Sequence, residues 1–393
     1  MTAPLTSRMR EFGTTIFTVM SDLAARHGAV NLGQGFPDTD GPEHLMRAAA
    51  QAIQDGHNQY PPLRGNAVLR EAVAEHQHRF YDLSVDPHNE ILITAGATEG
   101  LSVCLNALCE PGDEVVLIEP FYDAYAAAVA LAGGRRRTVP LRGPDLRLQE
   151  SDLRAAVGPR TRAIVVNTPH NPTGKVFDTE ELTLIGKIAV EAGCWVITDE
   201  VYEHLVYDDV RHVPLAVLAR TVPELAPLDD RLLTISSAGK TFSVTGWKIG
   251  WITGRAAGIA ATATVKQYLS FSGGAPFQPA VAAGLRQEDR LFDELTTSMR
   301  VRRDILADGL REAGFTVRGG QGTYFLLADA SPLGVTDASA FCQELPARCG
   351  VVGIPVTAFC DEPDPYSTLV RFAYCKREDV LVEAARRLRT LHH

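Results

Sequence analysis

A lysine that follows a strand-like segment, Lys240, is the residue of this chain best suited to covalent chemistry. The run 232–235 before it is apolar and predicts a strand, and a lysine held just beyond such a strand can form a Schiff base with an aldehyde. Ser237 stands three residues before Lys240 and Lys248 eight residues after it, so a hydroxyl and a second cation are available to hold a phosphate. This arrangement predicts a site for pyridoxal 5′-phosphate.

A glycine-containing segment, Gly96-Ala97-Thr98, follows the apolar run 91–94 and opens a helical pattern. Ligands of an open α/β sheet bind beyond the carboxyl ends of its strands, and the first N–H groups of a helix favour an anion. The segment therefore predicts a further contribution to the phosphate site. Taken alone, it is explained better by an ordinary glycine turn into a helix.

Polar groups also follow two other predicted strands. Asp199 directly follows the apolar run 195–198, and a carboxylate at a buried strand end is costly unless it is paired. A protonated pyridine nitrogen is a suitable partner, and the pairing would make the ring a better electron sink. Tyr202 and the amide of Asn171 are candidates to hydrogen-bond a phenolic oxygen of the same ring. The alternatives are an N-cap at Asp199 and plain turn chemistry at the Asn-Pro pair.

An arginine inside an apolar segment, Arg371 in the run 369–372, completes the set of candidates. Its planar guanidinium matches a carboxylate in two-point geometry, which suits the α-carboxylate of an amino acid. A structural ion pair inside a strand is the alternative, and it stays open. For Lys240, the alternative of an ordinary surface lysine is disfavoured by its place between a predicted strand and a Gly-Trp turn.

Apolar and helical segments alternate from about residue 90 to residue 254, which predicts an α/β fold with a mostly parallel sheet covered by helices. The predicted strands are 91–94, 115–118, 138–139, 163–166, 195–198, 232–235 and 249–253. The predicted helices are 98–108, 122–131 and 180–191. The proline-bearing segment 208–231 is predicted to be a surface connection.

A different pattern after about residue 290 predicts a smaller α+β domain. Its predicted elements are a long helix at 293–313, strands at 316–317, 323–327 and 369–372, and a last helix at 378–391. We expect three parts: an N-terminal arm at 1–42 that belongs to the small domain, a large cofactor-binding domain at 43–285, and the small C-terminal domain at 286–393.

The composition excludes several classes of protein. The 393 residues are 45% hydrophobic, as in globular proteins, and the formal net charge of −10 argues against binding nucleic acid or anionic lipid. No apolar run reaches the ~18 residues that span a bilayer, and residues 1–10 lack the apolar core of a signal peptide. Seven cysteines without a Cys-x-x-Cys pair fit a reducing cytosol, and no His/Cys spacing predicts a metal site. We therefore expect a cytoplasmic protein.

Together and in this order, the motifs resemble those of the fold-type I, class I/II aminotransferases over essentially the whole chain. They are Gly96-Ala97-Thr98-Glu99-Gly100, Asn171-Pro172-Thr173-Gly174, Thr198-Asp199-Glu200-Val201-Tyr202, Ser237-Ala238-Gly239-Lys240 and Arg371. The resemblance implies pyridoxal 5′-phosphate as cofactor and an amino acid and a 2-oxo acid as substrates. It also implies a homodimer with active sites at the subunit interface.

The resemblance assigns a role to each candidate. The catalytic residues it implies are Lys240, which carries the cofactor and moves the Cα proton, Asp199 at the pyridine nitrogen, and Tyr202. The other cofactor contacts it implies are Asn171 at the phenolic oxygen, Gly96, Ala97, Thr98, Ser237 and Lys248 at the phosphate, Tyr122 stacked on the ring, and Tyr60 reaching the neighbouring subunit's phosphate. The substrate contacts it implies are Gly35, Phe17, Asn171 and Arg371. Many relatives carry arginine where Lys248 stands, and lysine keeps the charge without the bidentate geometry.

The segment 31–38 resembles one branch of that family, which contains kynurenine/glutamine, methionine-type and N-succinyldiaminopimelate aminotransferases. Segments 119–125 and 273–279 resemble the last group most. Kynurenine-type relatives tend to place an aromatic residue and a histidine at Gly273-Gly274, so we expect a roomier pocket for a longer acyl-amino substrate. Small residues that let the backbone pack closely are the alternative. The leading hypothesis is transfer from N-succinyl-LL-2,6-diaminopimelate to 2-oxoglutarate.

Other functions stay open at this point. A kynurenine/glutamine-type transaminase with C–S β-lyase activity, or a transaminase for a nonproteinogenic amino acid in a specialised pathway, would carry the same cofactor motifs. A cofactor-sensing module of a transcription regulator would follow an added DNA-binding domain. That reading is disfavoured because only about 90 residues precede the first predicted core strand and the chain is acidic.

Overall fold

The computed structural model describes residues 6–392. Its strands form a seven-stranded, a four-stranded and a two-stranded sheet. In chain order they are β1 (Val30–Asn31), β2 (Ile91–Thr94), β3 (Glu114–Glu119), β4 (Arg135–Pro140), β5 (Thr161–Asn167), β6 (Trp195–Asp199), β7 (Leu232–Ser237), β8 (Gly250–Gly254), β9 (Thr316–Arg318), β10 (Phe325–Asp329), β11 (Val351–Val352), β12 (Ile354–Pro355) and β13 (Leu369–Ala373).

The helices cover the sheets and connect their strands. They are α1 (Ile16–His27), α2 (Glu43–Gln54), α3 (Ala67–Tyr81), α4 (Gly96–Leu108), α5 (Asp123–Leu131), α6 (Glu150–Ala156), α7 (Thr179–Ala192), α8 (Leu215–Thr221), α9 (Ala238–Thr241), α10 (Ala256–Leu269), α11 (Phe277–Leu285), α12 (Asp289–Glu312), α13 (Ala338–Cys349) and α14 (Glu378–Leu388). Local sequence signals fix some ends: Asp178 and Glu181 form a capping box before α7, and Gly193 ends it in the left-handed conformation.

The seven-stranded sheet has the order β2-β8-β7-β6-β5-β3-β4. Strands β3 to β7 pair in parallel, whereas β8 pairs antiparallel with both β2 and β7. Every residue of β2 and β7 is buried, as expected for strands covered on both faces. The predicted α/β class with a mostly parallel sheet is confirmed.

The four-stranded sheet, in the order β12-β13-β10-β9, is antiparallel throughout. Residues from both ends of the chain share its core, since Met20 and Ala24 of α1 belong to the same apolar cluster as Phe341 of α13 and Val370 of β13. Strands β1 and β11 form a parallel pair that also joins the two ends. The N-terminal segment is therefore packed onto the C-terminal part of the chain.

The prediction that the segment 208–231 is a surface connection is wrong. It contains α8 and a 3-10 helix, Pro223–Arg231. All four of its leucines enter the apolar core beneath the large sheet: Leu215, Leu218, Leu225 and Leu228. Pro214 and Pro223 stand at helix starts, where the missing N–H of proline costs nothing, so these prolines do not indicate an irregular loop.

Helices α2, α3, α6, α10, α11 and α13 were not predicted. For the elements that were predicted, the other differences concern their ends. The helix after β2 begins at Gly96 and not at residue 98, β10 is Phe325–Asp329 and not 323–327, and α14 ends at Leu388 and not at 391. Element ends are weakly specified by local sequence because terminal turns lack part of their hydrogen bonds.

Candidate active site

A cavity of about 330 Å³ lies at the carboxyl ends of β5, β6 and β7, against residues of β10 and β13. Nearly all the site residues predicted from the sequence line it: Phe17, Gly35, Gly96, Ala97, Thr98, Tyr122, Asn171, Asp199, Tyr202, Ser237, Lys240, Lys248 and Arg371. The exception is Tyr60, which is 82% exposed and does not line this cavity.

The ε-amine of Lys240 lies in the cavity wall. Strand β7 ends at Ser237, and the single turn α9 carries Lys240. Its Nζ donates to Tyr324 Oη at 2.8 Å and to the carbonyl oxygen of Gly35 at 3.5 Å. Burial lowers the pKa of Lys240 to about 8, although the charge of Asp199 opposes the change. About one tenth of the amine is therefore neutral, and so nucleophilic, at pH 7, far more than for an ordinary lysine.

The carboxylate of Asp199, at the end of β6, is held by neighbouring donors. Its Oδ2 accepts from Tyr125 Oη at 2.6 Å, and its Oδ1 accepts from the backbone N–H of Val201 at 3.3 Å. Asn167 lies opposite Asp199 in the β5–β6 register and donates to its main-chain oxygen at 2.8 Å. Burial raises the pKa of Asp199, and the Tyr125 bond opposes that rise. The site thus contains a buried carboxylate suited to a cationic partner.

Two tyrosine rings stand beside Lys240. The rings of Tyr202 and Tyr324 are nearly perpendicular, with centroids 5.1 Å apart. Lys240 Nζ lies 5.8 Å from the first centroid and 5.5 Å from the second. Burial raises the pKa of both phenols above the usual range, so each is a neutral hydroxyl.

The start of α4 forms a cradle with Lys248. Gly96 opens the helix with a φ of 76°, and a Cβ atom there would lie 3.2 Å from Lys248 Nζ. A Cβ atom at Gly250 would lie 2.8 Å from the carbonyl carbon of Gly96, so the backbones approach closely. Ser237 pairs with Gly250 across the sheet and lines the same cavity. Helix N–H groups, a hydroxyl and an ammonium together suit a phosphate.

Arg371 in β13 is 1% exposed and has fixed partners. Its Nη1 donates to Asn171 Oδ1 at 2.9 Å and its Nη2 to the carbonyl oxygen of Gly33 at 2.8 Å. Neither partner is a carboxylate, so these contacts do not support the alternative of a structural ion pair. Three rings surround the guanidinium carbon, with centroids at 4.1, 4.9 and 5.3 Å: Phe325, Phe359 and Phe17. Burial lowers the pKa of Arg371 to about 10, which still leaves it cationic at neutral pH.

Comparison with known proteins identifies the family. The chain matches the model of aminotransferase class I and II over residues 28–388. It belongs to this family. The protein named "Probable N-succinyldiaminopimelate aminotransferase DapC" of Mycobacterium tuberculosis is 52% identical, with 98% of each chain covered. The methionine aminotransferase of Escherichia coli is 41% identical, also with 98% of each chain covered.

A solved structure agrees with this assignment. The N-succinyldiaminopimelate aminotransferase from Mycobacterium tuberculosis superposes with a TM-score of 0.94 at 53% identity, covering 98% of this chain and 100% of that one. The predicted family and the PLP fold type I are therefore confirmed, and the protein is a pyridoxal phosphate-dependent transaminase.

Three independent features of the cavity suit pyridoxal phosphate, the cofactor of this family. An amine with a lowered pKa, Lys240, is available to an aldehyde. The buried carboxylate of Asp199 lines the wall for a ring nitrogen. The cradle at Gly96 would be narrowed by any side chain, which is expected where a phosphate approaches the backbone closely.

Sequence reasoning missed several residues that the fold of this aminotransferase brings to the cavity. Asn167 was identifiable, because it ends the strand next to the one that Asp199 ends. Tyr125 also had a signal, because it stands three residues after Tyr122 at the start of the same helix. Phe325, which lines the cavity, and Tyr324, which contacts Lys240 Nζ, had no such signal, since only the packing of the four-stranded sheet against the seven-stranded one places them there.

The glycines at 273 and 274 do not line the cavity of their own chain. A Cβ atom at Gly274 would lie 2.2 Å from Ile249 Cδ1, whereas one at Gly273 would meet nothing within 4 Å. Close packing therefore explains Gly274, as the alternative interpretation had it. The roomier substrate pocket stays a prediction.

One group of possible metal ligands was not indicated by sequence spacing. One nitrogen or oxygen from each of His76, Glu203 and His204 lies within 4.8 Å of the others. The donors already have protein partners, because His76 Nε2 and His204 Nε2 are 2.6 Å apart and Glu203 accepts from the hydroxyls of Tyr81 and Ser236. These contacts explain the cluster as a hydrogen-bonded core.

Proposed function

We propose that this aminotransferase moves the amino group of N-succinyl-LL-2,6-diaminopimelate to 2-oxoglutarate. The observation that carries the proposal is the 52% identity over 98% of both chains with the Mycobacterium tuberculosis protein of that name. Substrate preference depends on the shape of the cavity, which the fold determines. The solved N-succinyldiaminopimelate aminotransferase from Mycobacterium tuberculosis has nearly the same fold as this chain over its whole length.

The proposed cofactor contacts are supported by the presence of all these residues in the wall of one cavity. Lys240 would bind the aldehyde and accept the Cα proton, Asp199 would pair with the ring nitrogen, and Tyr202 would donate to the phenolic oxygen. The amide of Asn171 is also free for that oxygen, because Arg371 occupies its Oδ1. When bound, pyridoxal phosphate withdraws electrons from the Cα–H bond of the amino acid.

The phosphate and the ring would be held by the remaining wall residues. The proposed phosphate contacts are Gly96, Ala97, Thr98, Ser237 and Lys248, and Tyr122 would stack on the ring. Lys248 itself adopts a left-handed backbone conformation with a φ of 54°, which fixes the direction in which its side chain leaves the turn.

The substrate's α-carboxylate would be bound by Arg371 beside Asn171, Gly35 and Phe17. The guanidinium is oriented by two hydrogen bonds and three aromatic rings, so little freedom is lost when a carboxylate binds. The side chain of the donor would extend along the rest of the wall, which includes Gln34, Phe36 and Phe325.

A second candidate substrate is methionine. Among residues 6–392, the cations that line the cavity are Lys240, Lys248 and Arg371, and each has a proposed role with the cofactor or the α-carboxylate. The wall left for the donor's side chain is largely apolar and includes the rings of Phe36 and Phe325, which favours an uncharged thioether. The methionine aminotransferase relative at 41% identity agrees with this alternative.

We also propose a homodimer whose interface includes an exposed apolar patch, defined here as Tyr60, Tyr268, Leu269 and Phe271. These residues are 82%, 81%, 59% and 41% exposed, and the rings of Tyr60 and Phe271 are 5.7 Å apart. Such a group of large apolar side chains on a surface is typical of an interaction site. Tyr60 would reach the phosphate of the neighbouring subunit from this patch.

The domain division at residues 42 and 285 and a cytoplasmic location are part of the same proposal. The shared core of α1 with α13 and β13 supports an arm that belongs to the small domain. All seven cysteines are free thiols, which fits a reducing compartment. Among residues 6–392, no helix has the length and apolar character to cross a membrane.

A panel of amino donors with 2-oxoglutarate tests the substrate assignment. The panel contains N-succinyl-diaminopimelate, methionine, kynurenine and a guanidino amino acid, and glutamate formation is measured as kcat/KM. We expect N-succinyl-diaminopimelate to exceed every other donor by at least about tenfold, which is about 1.4 kcal/mol of transition-state binding. A higher kcat/KM for methionine would replace the proposal by the second candidate.

A further inference from the structure

The hydroxyl of Tyr324 connects Lys240 to the substrate-binding loop. It donates to the carbonyl oxygen of Gly35 at 2.5 Å and accepts from Lys240 Nζ at 2.8 Å. Because its proton points to Gly35, a lone pair of the phenol faces the amine. The same loop contacts Arg371, whose Nη2 donates to the carbonyl oxygen of Gly33.

Tyr324 is held rigidly in this place. The residue is 0% exposed, and its main-chain oxygen accepts from the N–H of Tyr374 at 2.9 Å. The neighbouring Thr323 donates its N–H to the carbonyl oxygen of Leu205 at 2.8 Å. A Cβ atom at Gly35 would lie 2.6 Å from the ring of Phe325, so the loop and the 324–325 segment are in close contact. The phenol is therefore a fixed acceptor.

We propose that Tyr324 is a positioning residue that holds the ε-amine of Lys240 whenever that amine is not covalently bound, and fixes it relative to the loop of Gly33 and Gly35. The inference rests on the proposed role of Lys240 as nucleophile and proton acceptor. A lysine has four side-chain torsions, so without a partner its amine would occupy many rotamers that do not suit the reaction. A fixed hydrogen-bond acceptor restricts the side chain to one position and lowers this entropic cost.

The bond also influences the charge of the amine. A phenol oxygen accepts a stronger hydrogen bond from an ammonium than from a neutral amine, so it favours the protonated form. Removing the hydroxyl should therefore lower the pKa of Lys240 below its present value of about 8. A change of about one pKa unit is expected from one lost bond to a charged group.

The test compares wild type, Tyr324→Phe and Tyr366→Phe in cofactor-free protein. Tyr366 is a matched control, because its buried hydroxyl also donates to main-chain oxygens, those of Glu119 and Leu141, whereas the hydroxyl that Lys240 contacts is that of Tyr324. Competitive acetylation from pH 6.5 to 10.5, read by peptide mass spectrometry, gives the pKa of each of the six lysines. Lys187, whose side chain is 46% exposed, is the internal reference.

We expect the pKa of Lys240 to fall by about one unit in Tyr324→Phe and to stay unchanged in Tyr366→Phe. With cofactor, kcat should fall roughly 10- to 100-fold and KM by less than about threefold in either direction, with a larger Cα-deuterium isotope effect. An unchanged Lys240 titration in Tyr324→Phe overturns the proposal. If that variant does not fold, 3-fluorotyrosine at position 324 provides a weaker acceptor, and an unchanged Lys240 pKa there overturns it equally.

The proposed function has a separate readout. Borohydride should fix pyridoxal phosphate onto Lys240 in wild type. Failure of that labelling would refute the proposed role of Lys240, whereas the acetylation result reports on the contact between Tyr324 and the amine alone.

Discussion

The phenol of Tyr125 donates a 2.6 Å hydrogen bond to the carboxylate of Asp199. This bond joins helix α5 to the end of β6 and offsets part of the effect of burial, which raises the pKa of the carboxyl group. Burial also raises the pKa of Tyr125 well above its usual range, so the phenol remains a donor at any physiological pH. Tyr125 therefore helps to keep Asp199 ionised and in place for a cationic ring nitrogen.

Removing this donor should weaken cofactor binding. In Tyr125→Phe, the Asp199 carboxylate loses a charge-assisted bond, so its pKa should rise and its pairing with a protonated ring should weaken. We expect the Kd for pyridoxal phosphate to increase about tenfold, corresponding to about 1.4 kcal/mol. Absorbance titration measures the Kd, and Asp199→Asn should give a larger loss of both affinity and kcat. Equal affinities for wild type and Tyr125→Phe would show that Val201 and Asn167 suffice to hold Asp199.

The pH dependence of cofactor capture should report the lowered pKa of Lys240. Only the neutral amine attacks an aldehyde, and burial sets the pKa at about 8 in place of 10.5. The capture rate in cofactor-free protein should therefore rise about tenfold per pH unit below 8 and level off above it. Stopped-flow absorbance measures the rate, with a simple alkylamine as the reference for titration of the aldehyde itself. A rate that continues to rise up to pH 10 would contradict the buried amine.

Lys240→Ala isolates the covalent step. We expect turnover to be lost, while the cavity still binds the cofactor non-covalently through the Gly96 cradle and Asp199. Denaturing mass spectrometry after borohydride treatment should show the cofactor adduct on wild type and none on the variant. Lys187→Ala, at an exposed position on α7, is the matched control and should keep both turnover and adduct. Turnover at the wild-type rate in the Lys240→Ala variant would show that the reaction does not need Lys240.

Arg371→Lys should separate substrate binding from chemistry. Lysine keeps the charge but cannot bond Asn171, Gly33 and a carboxylate in one plane, and it loses the stacking on Phe325. We expect KM for the amino donor to rise roughly 10- to 100-fold, or about 1.4–2.7 kcal/mol, with kcat changed less. Arg311→Lys, an exposed arginine paired with Asp308, should leave both constants unchanged. A selective loss of kcat would place Arg371 in proton transfer.

The local sequence was sufficient to predict the site residues that lie at or just after the end of a single strand. Asp199 and Ser237 end the buried strands β6 and β7, and Asn171 lies in the turn after β5, so their place at one edge of the sheet predicts that they meet. Gly96 is explained by the same rule, because the helix it opens starts where β2 ends. These positions on the cofactor side were therefore predictable, whereas Tyr125 and Asn167, which hydrogen-bond Asp199, were missed.

The substrate side was predictable only in part, because it depends on how the two sheets meet. Tyr324 follows Gly322-Thr323, a segment without a recognisable chemical motif, and reaches Lys240 across 84 residues of chain. The buried leucines of the 208–231 segment were missed for a related reason. Their helical spacing was present, but the prolines suggested a loop.

The cradle at Gly96 makes a prediction with a matched control elsewhere in the chain. Gly96 and Gly143 have nearly equal φ values, 76° and 72°, so alanine at either position carries similar backbone strain of about 1–3 kcal/mol. Only at Gly96 would the new Cβ meet a neighbour, Lys248 Nζ at 3.2 Å; at Gly143 nothing lies within 4 Å. Both variants should lose similar stability in urea unfolding of cofactor-free protein.

The two variants should differ in phosphate recognition. We expect Gly96→Ala to raise the Kd for pyridoxal phosphate about tenfold or more, since the methyl group displaces Lys248 and narrows the anion site, while Gly143→Ala keeps the wild-type Kd. Pyridoxal without its phosphate should bind Gly96→Ala and wild type with similar affinity. If Gly96→Ala weakened both ligands to the same extent, the loss would come from backbone strain and the phosphate would have to be bound elsewhere in the cavity.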